Sequence, residues 1–256
     1  MKIKKNNILL FFVLLLITSC KLVLSCELVR DVLEEPFKYT SRSIDTQLLL
    51  SKSLEKLIWL NKKNNIGLLR RALQSGANPN YIQKDNIQFF PLLTAVIERS
   101  SPAVDLLLKY NANPNQYHTV MGTPLMLASD NIHFSLPIIK SLLQHNAKPN
   151  LKLSLKRDTP LISIVENLLS LKHSKRSQWE KKRKKADYLE AIQLLLEHDA
   201  DPHIKNDRGQ SAITIAQHNN DQGLANLLSE GQPILINKLD ALLSKKKRHP
   251  RQILLL

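Results

Sequence analysis

Apolar residues in this chain fall in short clusters at helical spacing, and each cluster is broken by the same small polar turn. Leu68, Leu69, Ala72 and Leu73 form one cluster; Val104, Leu106, Leu107 and Leu108 form the next. Ile138, Ile139, Leu142 and Leu143 follow, then Ile192, Leu194, Leu195 and Leu196. Spacing of i, i+3 and i+4 lays one apolar stripe along a helix, so each cluster predicts a helix with a single buried face. Gly76, Asn111, Asn146 and Asp199 stand directly after the clusters. A helix commonly ends there in a left-handed residue, a conformation that Gly and Asn adopt most easily and Asp after them. Pro79, Pro114, Pro149 and Pro202 then stop the helix and send the chain into an extended segment.

The punctuation recurs as a motif. Ser75-Gly76-Ala77-Asn78-Pro79-Asn80 returns as Tyr110-Asn111-Ala112-Asn113-Pro114-Asn115, His145-Asn146-Ala147-Lys148-Pro149-Asn150 and His198-Asp199-Ala200-Asp201-Pro202-His203. The alanines are 35, 35 and 53 residues apart, a tandem array whose last interval carries an insert. A second helix start precedes each cluster. Thr123-Pro124 and Thr159-Pro160 place a hydroxyl at the N-cap and proline at the first helical position. Phe90-Pro91 lacks the cap and Ser211-Ala212 lacks the proline. The predicted unit is an extended finger, a short helix, a tight turn and a longer helix. Such a unit cannot bury its own apolar face, so it stacks on neighbours.

These units resemble ankyrin repeats, through that family's Thr-Pro-Leu-His-x-Ala start and its Leu-Leu-Leu-x-x-Gly-Ala-Asp-x-Asn end. The resemblance covers roughly residues 52–230. Leu93, Met126, Ile162 and Thr214 stand where the family has its start-motif histidine, and the period of 35 implies longer fingers. The resemblance implies an all-α solenoid of about five helix-turn-helix units over residues 44–230, capped at both ends. It also implies a monomeric, non-catalytic protein-binding module, with the finger tips and short inner helices as the recognition face. On that mapping the fingers are residues 81–89, 116–122, 151–157 and 204–209. Candidate contacts are Tyr81, Phe89, Tyr117 and His118, of the kinds enriched at interface hot spots, with Asp130 and Asn131 near an inner-helix end. Lys156, Arg157, Lys205 and Arg208 make the later fingers basic, which predicts an acidic protein partner.

The front of the chain carries a different signal. Lys2, Lys4 and Lys5 precede an apolar run from Ile8 to Ile17, the pattern of a secretory signal. The run is short of the roughly 20 apolar residues that span a bilayer. Ile17-Thr18-Ser19-Cys20 resembles the lipobox of bacterial lipoproteins. The resemblance implies a signal peptide over 1–19, an acyl chain on Cys20 and a tether over 20–43. A bacterial envelope location follows, with Lys21 favouring the outer membrane by the sorting rule of diderm bacteria. Two alternatives stay open: an uncleaved anchor extended by Leu22, Val23 and Leu24, or cleavage before Cys26. Both cysteines lie ahead of the repeats, so the array uses no disulfide and no cysteine nucleophile.

The net charge of +15 is concentrated in two places. One runs from Lys172 to Arg176 and then through Lys181, Lys182, Arg183, Lys184 and Lys185; the other spans Lys245 to Arg251. Pro124 lies 23 residues before Ala147, whereas Pro160 lies 40 before Ala200, so the extra length falls between the two helices of one repeat. The expectation is a lengthened helical hairpin, with its insert at about 168–186 and a basic tip. That tip is either a solvated charged end or a contact for anionic lipid or polysaccharide. Residues 231–256 predict a further amphipathic helix with a basic tail. No Gly-x-Ser-x-Gly, glycine-rich phosphate loop, His-Glu-x-x-His or paired-cysteine spacing occurs, so no catalytic residue, cofactor or metal is expected. Nucleic-acid binding conflicts with export and with an aromatic content of 5%. The leading expectation is a protein-binding lipoprotein. The alternatives are an anionic-surface binder and a host-directed effector of an intracellular bacterium.

Overall fold

The computed structural model describes residues 44–59, 65–82, 89–130, 134–152 and 158–230. The expected signal over 1–19, Cys20, the expected tether and the expected C-terminal helix and tail lie outside these residues, as do Asn131, Lys156 and Arg157.

Among the described residues, ten α-helices pair in chain order. They are α1 (Ile44–Trp59) with α2 (Asn65–Gln74), α3 (Pro91–Ile97) with α4 (Ser101–Lys109), and α5 (Pro124–Ser129) with α6 (Leu136–Gln144). α7 (Pro160–Ser170) pairs with α8 (Gln178–Glu197) across a 3-10 turn at Leu171–His173, and α9 (Ala212–His218) with α10 (Gln222–Glu230). The first helices of the pairs pack in one row, α1 to α9, and α2, α4, α6 and α8 pack in a second. α10 packs mainly against α9. Between the rows runs one apolar core, in which Val104, Leu107, Leu125, Ile138, Ile139, Leu142 and Ile192 are completely buried. Each such side chain contributes about 1.5–3 kcal/mol of burial.

Each turn is built as the sequence pattern predicts. Gly76, Asn111, Asn146 and Asp199 have φ of 93°, 63°, 64° and 64°. Behind them the N–H of Ala77, Ala112, Ala147 and Ala200 donates to the carbonyl of Ala72, Leu107, Leu142 and Leu195. These long-reach bonds satisfy the carbonyls that a helix end leaves open. The four alanines are themselves buried, which leaves no room there for a larger side chain.

The motif's last residue joins one repeat to the next. Asn80 donates its amide to the Asn111 carbonyl (3.0 Å) and accepts from the Asn113 N–H (2.6 Å). Asn115 does the same with Asn146 (3.0 Å) and Lys148 (2.7 Å), and Asn150 with Asp199 and Asp201, both at 2.8 Å. Only a primary amide supplies a donor and an acceptor side by side in this way. His203 occupies the fourth position.

The short helices start as expected. Thr123, Thr159 and Ser211 accept through their hydroxyls from the N–H three residues on, each at 3.3 Å. Phe90 makes no side-chain cap. Where the family's histidine is missing, Met126 Sδ accepts from the Thr123 N–H (3.2 Å) and Thr214 Oγ1 from the Ser211 N–H (2.8 Å). Leu93 and Ile162, at the other two positions, are simply buried.

Candidate functional site

With the two helices of each pair running in opposite directions, the described finger residues leave one end of the stack and the turns within each pair lie at the other. The finger between α4 and α5 is closed by two bonds, His118 N–H to the Gly122 carbonyl (2.9 Å) and Gly122 N–H back to His118 (2.8 Å). Gly122 sits at φ 75°, which permits the tight return. Inside the loop His118 Nδ1 accepts from the Val120 and Met121 N–H groups at 3.2 and 3.1 Å. That pattern puts the ring proton on Nε2.

His118 was expected on the recognition face, and here the structure corrects the expectation. Its side chain is buried, with 4% exposure, because satisfying two loop amides draws the ring under its own finger. The half-buried Phe89 stacks on that ring, centroids 5.4 Å apart and planes at 18°. The two rings join the start of α3 to the finger that follows α4. Tyr117 instead points outward at 47% exposure, joined by two residues that the pattern did not single out, Ile82 (42%) and Val120 (41%). Apolar side chains at the tips of braced loops were the available signal, and neither residue belongs to a helical stripe. Tyr81 is half-buried, and Asp130 is exposed at the end of α5.

The last finger is less free in charge than its sequence implies. Arg208 reaches back to Glu166 on α7, Nη2 to Oε1 2.8 Å. Lys205 is exposed, and its carbonyl accepts from Lys152 Nζ (2.8 Å). Asn206 organises the loop: its amide donates to Asp158 Oδ1 (2.8 Å), and its oxygen accepts from the Arg208 and Gln210 N–H groups, both at 3.0 Å. His198 Nδ1 lies 3.0 Å from the Leu194 carbonyl and caps α8. Among the described residues no group of three or more His, Cys, Asp or Glu side chains is placed to hold a metal ion.

The basic patch lies at the far end. Lys181 through Lys185 occupy the first half of α8, which a reciprocal cap opens: Ser177 Oγ accepts from the Glu180 N–H (3.3 Å) and Glu180 Oε2 from the Ser177 N–H (3.2 Å). The Ser177 N–H, and after it the Ser177 hydroxyl donating to Oε2 (3.1 Å), hold the Glu180 carboxyl below its usual range. Burial, and then the charges of Arg176, Arg99 and Arg183, hold the Lys184 ammonium below its own. Trp179 stands 61% exposed with the Arg183 guanidinium 5.4 Å from its ring centroid.

Residues 57–153 match a family model of ankyrin repeats in three copies. Over that segment the chain is similar to ankyrin repeats, and its fold is an all-α ankyrin-type solenoid. A curated ankyrin repeat protein of Fowlpox virus (strain NVSL) is 38% identical over 76 residues, which is 30% of this chain and 10% of the viral protein. The chain therefore matches about a tenth of that relative's length. The ankyrin architecture continues past the matched segment, since α7 to α10 stack in the same order and through the same left-handed turn at Asp199.

Proposed function

We propose that the chain is a non-catalytic protein-binding ankyrin module whose finger tips carry the contact surface. The observation that supports this is the exposure of Ile82, Tyr117 and Val120, the last two on a loop held from beneath by His118 with Phe89 stacked on its ring. Rigid loops on a packed scaffold lose little entropy on docking, and an exposed tyrosine among aliphatic neighbours suits an interface centre. The sequence of the front segment supports a lipid tether at Cys20, which would hold this face near a bacterial membrane.

Two experiments test the reading. A photo-crosslinking residue placed at Tyr117 or Ile82 in living cells should yield a discrete adduct, and one placed at the exposed Lys109 on α4 should not. Equal patterns from all three positions would remove the fingers from the interface. A labelled fatty acid should enter the wild-type chain and not Cys20→Ala; label in neither would leave the module without a lipid tether.

A further inference from the structure

The α7–α8 hairpin overhangs its neighbours. α8 has 20 residues where α6 and α10 have nine each. At 1.5 Å per residue that is about 30 Å against about 14 Å, so the basic half of α8 runs well past the helices on either side. Beside it opens a cleft of about 490 Å³, floored by Leu168, Leu169, Leu171 and Trp179 and rimmed by Lys182 and Lys185. An acid at its edge, Asp221, is paired with Lys172 at 3.5 Å, which leaves the rim cationic.

We propose that this cleft docks a short acidic amphipathic helix of a partner protein, as a second binding site at the end of the stack opposite the fingers. Leucine side chains of such a helix fit the apolar floor, and its carboxylates meet Lys182 and Lys185. Trp179 is the anchor: a large, exposed indole with the Arg183 guanidinium 5.4 Å from its ring centroid. The concave shape favours a protruding peptide over a flat bilayer, which would meet the tip residues Lys172, His173, Lys175 and Arg176 and one apolar ring. Charge disfavours the chain's own C-terminal stretch as occupant, because Lys245, Lys246, Lys247 and Arg248 follow it. The site stands apart from the finger reading and does not depend on it.

The test uses the full chain carrying Trp59→Phe, so that Trp179 is the sole indole. The probe is a fluorescein-labelled helical peptide of glutamate with leucines at i, i+3, i+4 and i+7. Saturable anisotropy with a blue shift of Trp179 emission is expected, weakened about tenfold or more by Lys182→Glu with Lys185→Glu, and separately by Trp179→Ala. Tyr117→Ala should leave peptide binding unchanged. Equal affinity for a peptide with glycine in place of leucine would reduce the site to bare charge attraction and overturn the proposal. So would a Trp179 shift with phosphatidylglycerol vesicles and none with the peptide. A red shift of Trp179 on removal of residues 231–256 would assign the cleft to the chain itself and overturn it too. Tyr117, Trp179, Lys182 and Lys185 are exposed, and unchanged circular dichroism checks that each variant, and the Trp59→Phe background, folds.

Discussion

Asn115 gives its amide N–H to the Asn146 carbonyl and its amide oxygen to the Lys148 N–H, so one side chain closes a small ring across two repeats. Asn115→Ala should lower stability by about 0.5–1.5 kcal/mol in urea unfolding, since two solvent-exposed bonds between repeats are lost. Asn115→Asp should cost a similar amount, because it keeps the acceptor but sets a second oxygen against the Asn146 carbonyl. The recurrence of this asparagine is plain in the sequence; its task is not, because its partners lie 31 and 33 residues further on. His118 shows the same limit from the other side. Its place in a finger is legible, but the direction of its ring depends on which loop amides it satisfies. His118→Ala should loosen the finger and lower stability by about 1–2 kcal/mol, with faster hydrogen exchange at Val120 and Met121 as the diagnostic.

At the scale of one element, α8 is the informative helix. Its lengthening is legible from the interval between Pro160 and Ala200, since a fixed turn at each end leaves nowhere else for extra residues. How the extra length divides is decided by Leu171, whose burial tightens the end of α7 into a 3-10 turn, and by the Ser177–Glu180 cap that begins α8. Ser177→Ala should fray the first turn at a cost of about 1 kcal/mol, seen as lost protection at Glu180 and Lys181. Lys184 makes the pH test. Its folded pKa lies below its usual value, so the native state gains relative stability as pH rises through that pKa and Lys184 loses its charge. Lys184→Gln should therefore raise stability at pH 7 by less than about 0.5 kcal/mol. The gain should shrink as pH climbs toward the ordinary lysine value of 10.5, and added salt should narrow it as well.

The whole molecule is a row of units that touch only their neighbours, and its energetics should follow that geometry. Leu107 and Ile192 are both fully buried but sit in pairs separated by α5 and α6. Leu107→Ala and Ile192→Ala should each cost about 2–5 kcal/mol. Their double variant should equal the sum within about 0.5 kcal/mol by calorimetry or denaturant titration. The same geometry separates the fingers, with Tyr117, from the basic overhang, with Trp179, so each end is free to engage without the other. The asparagine clamps give the row a direction as well. Each faces forward, from an earlier repeat to a later one, and the series stops where His203 replaces the amide. A gene duplication of residues 116–150 would hand its daughter a complete socket and a complete plug. One made beyond His203 would add a turn with no asparagine to grip it, so the clamp pattern is passed on from within the row and not past His203.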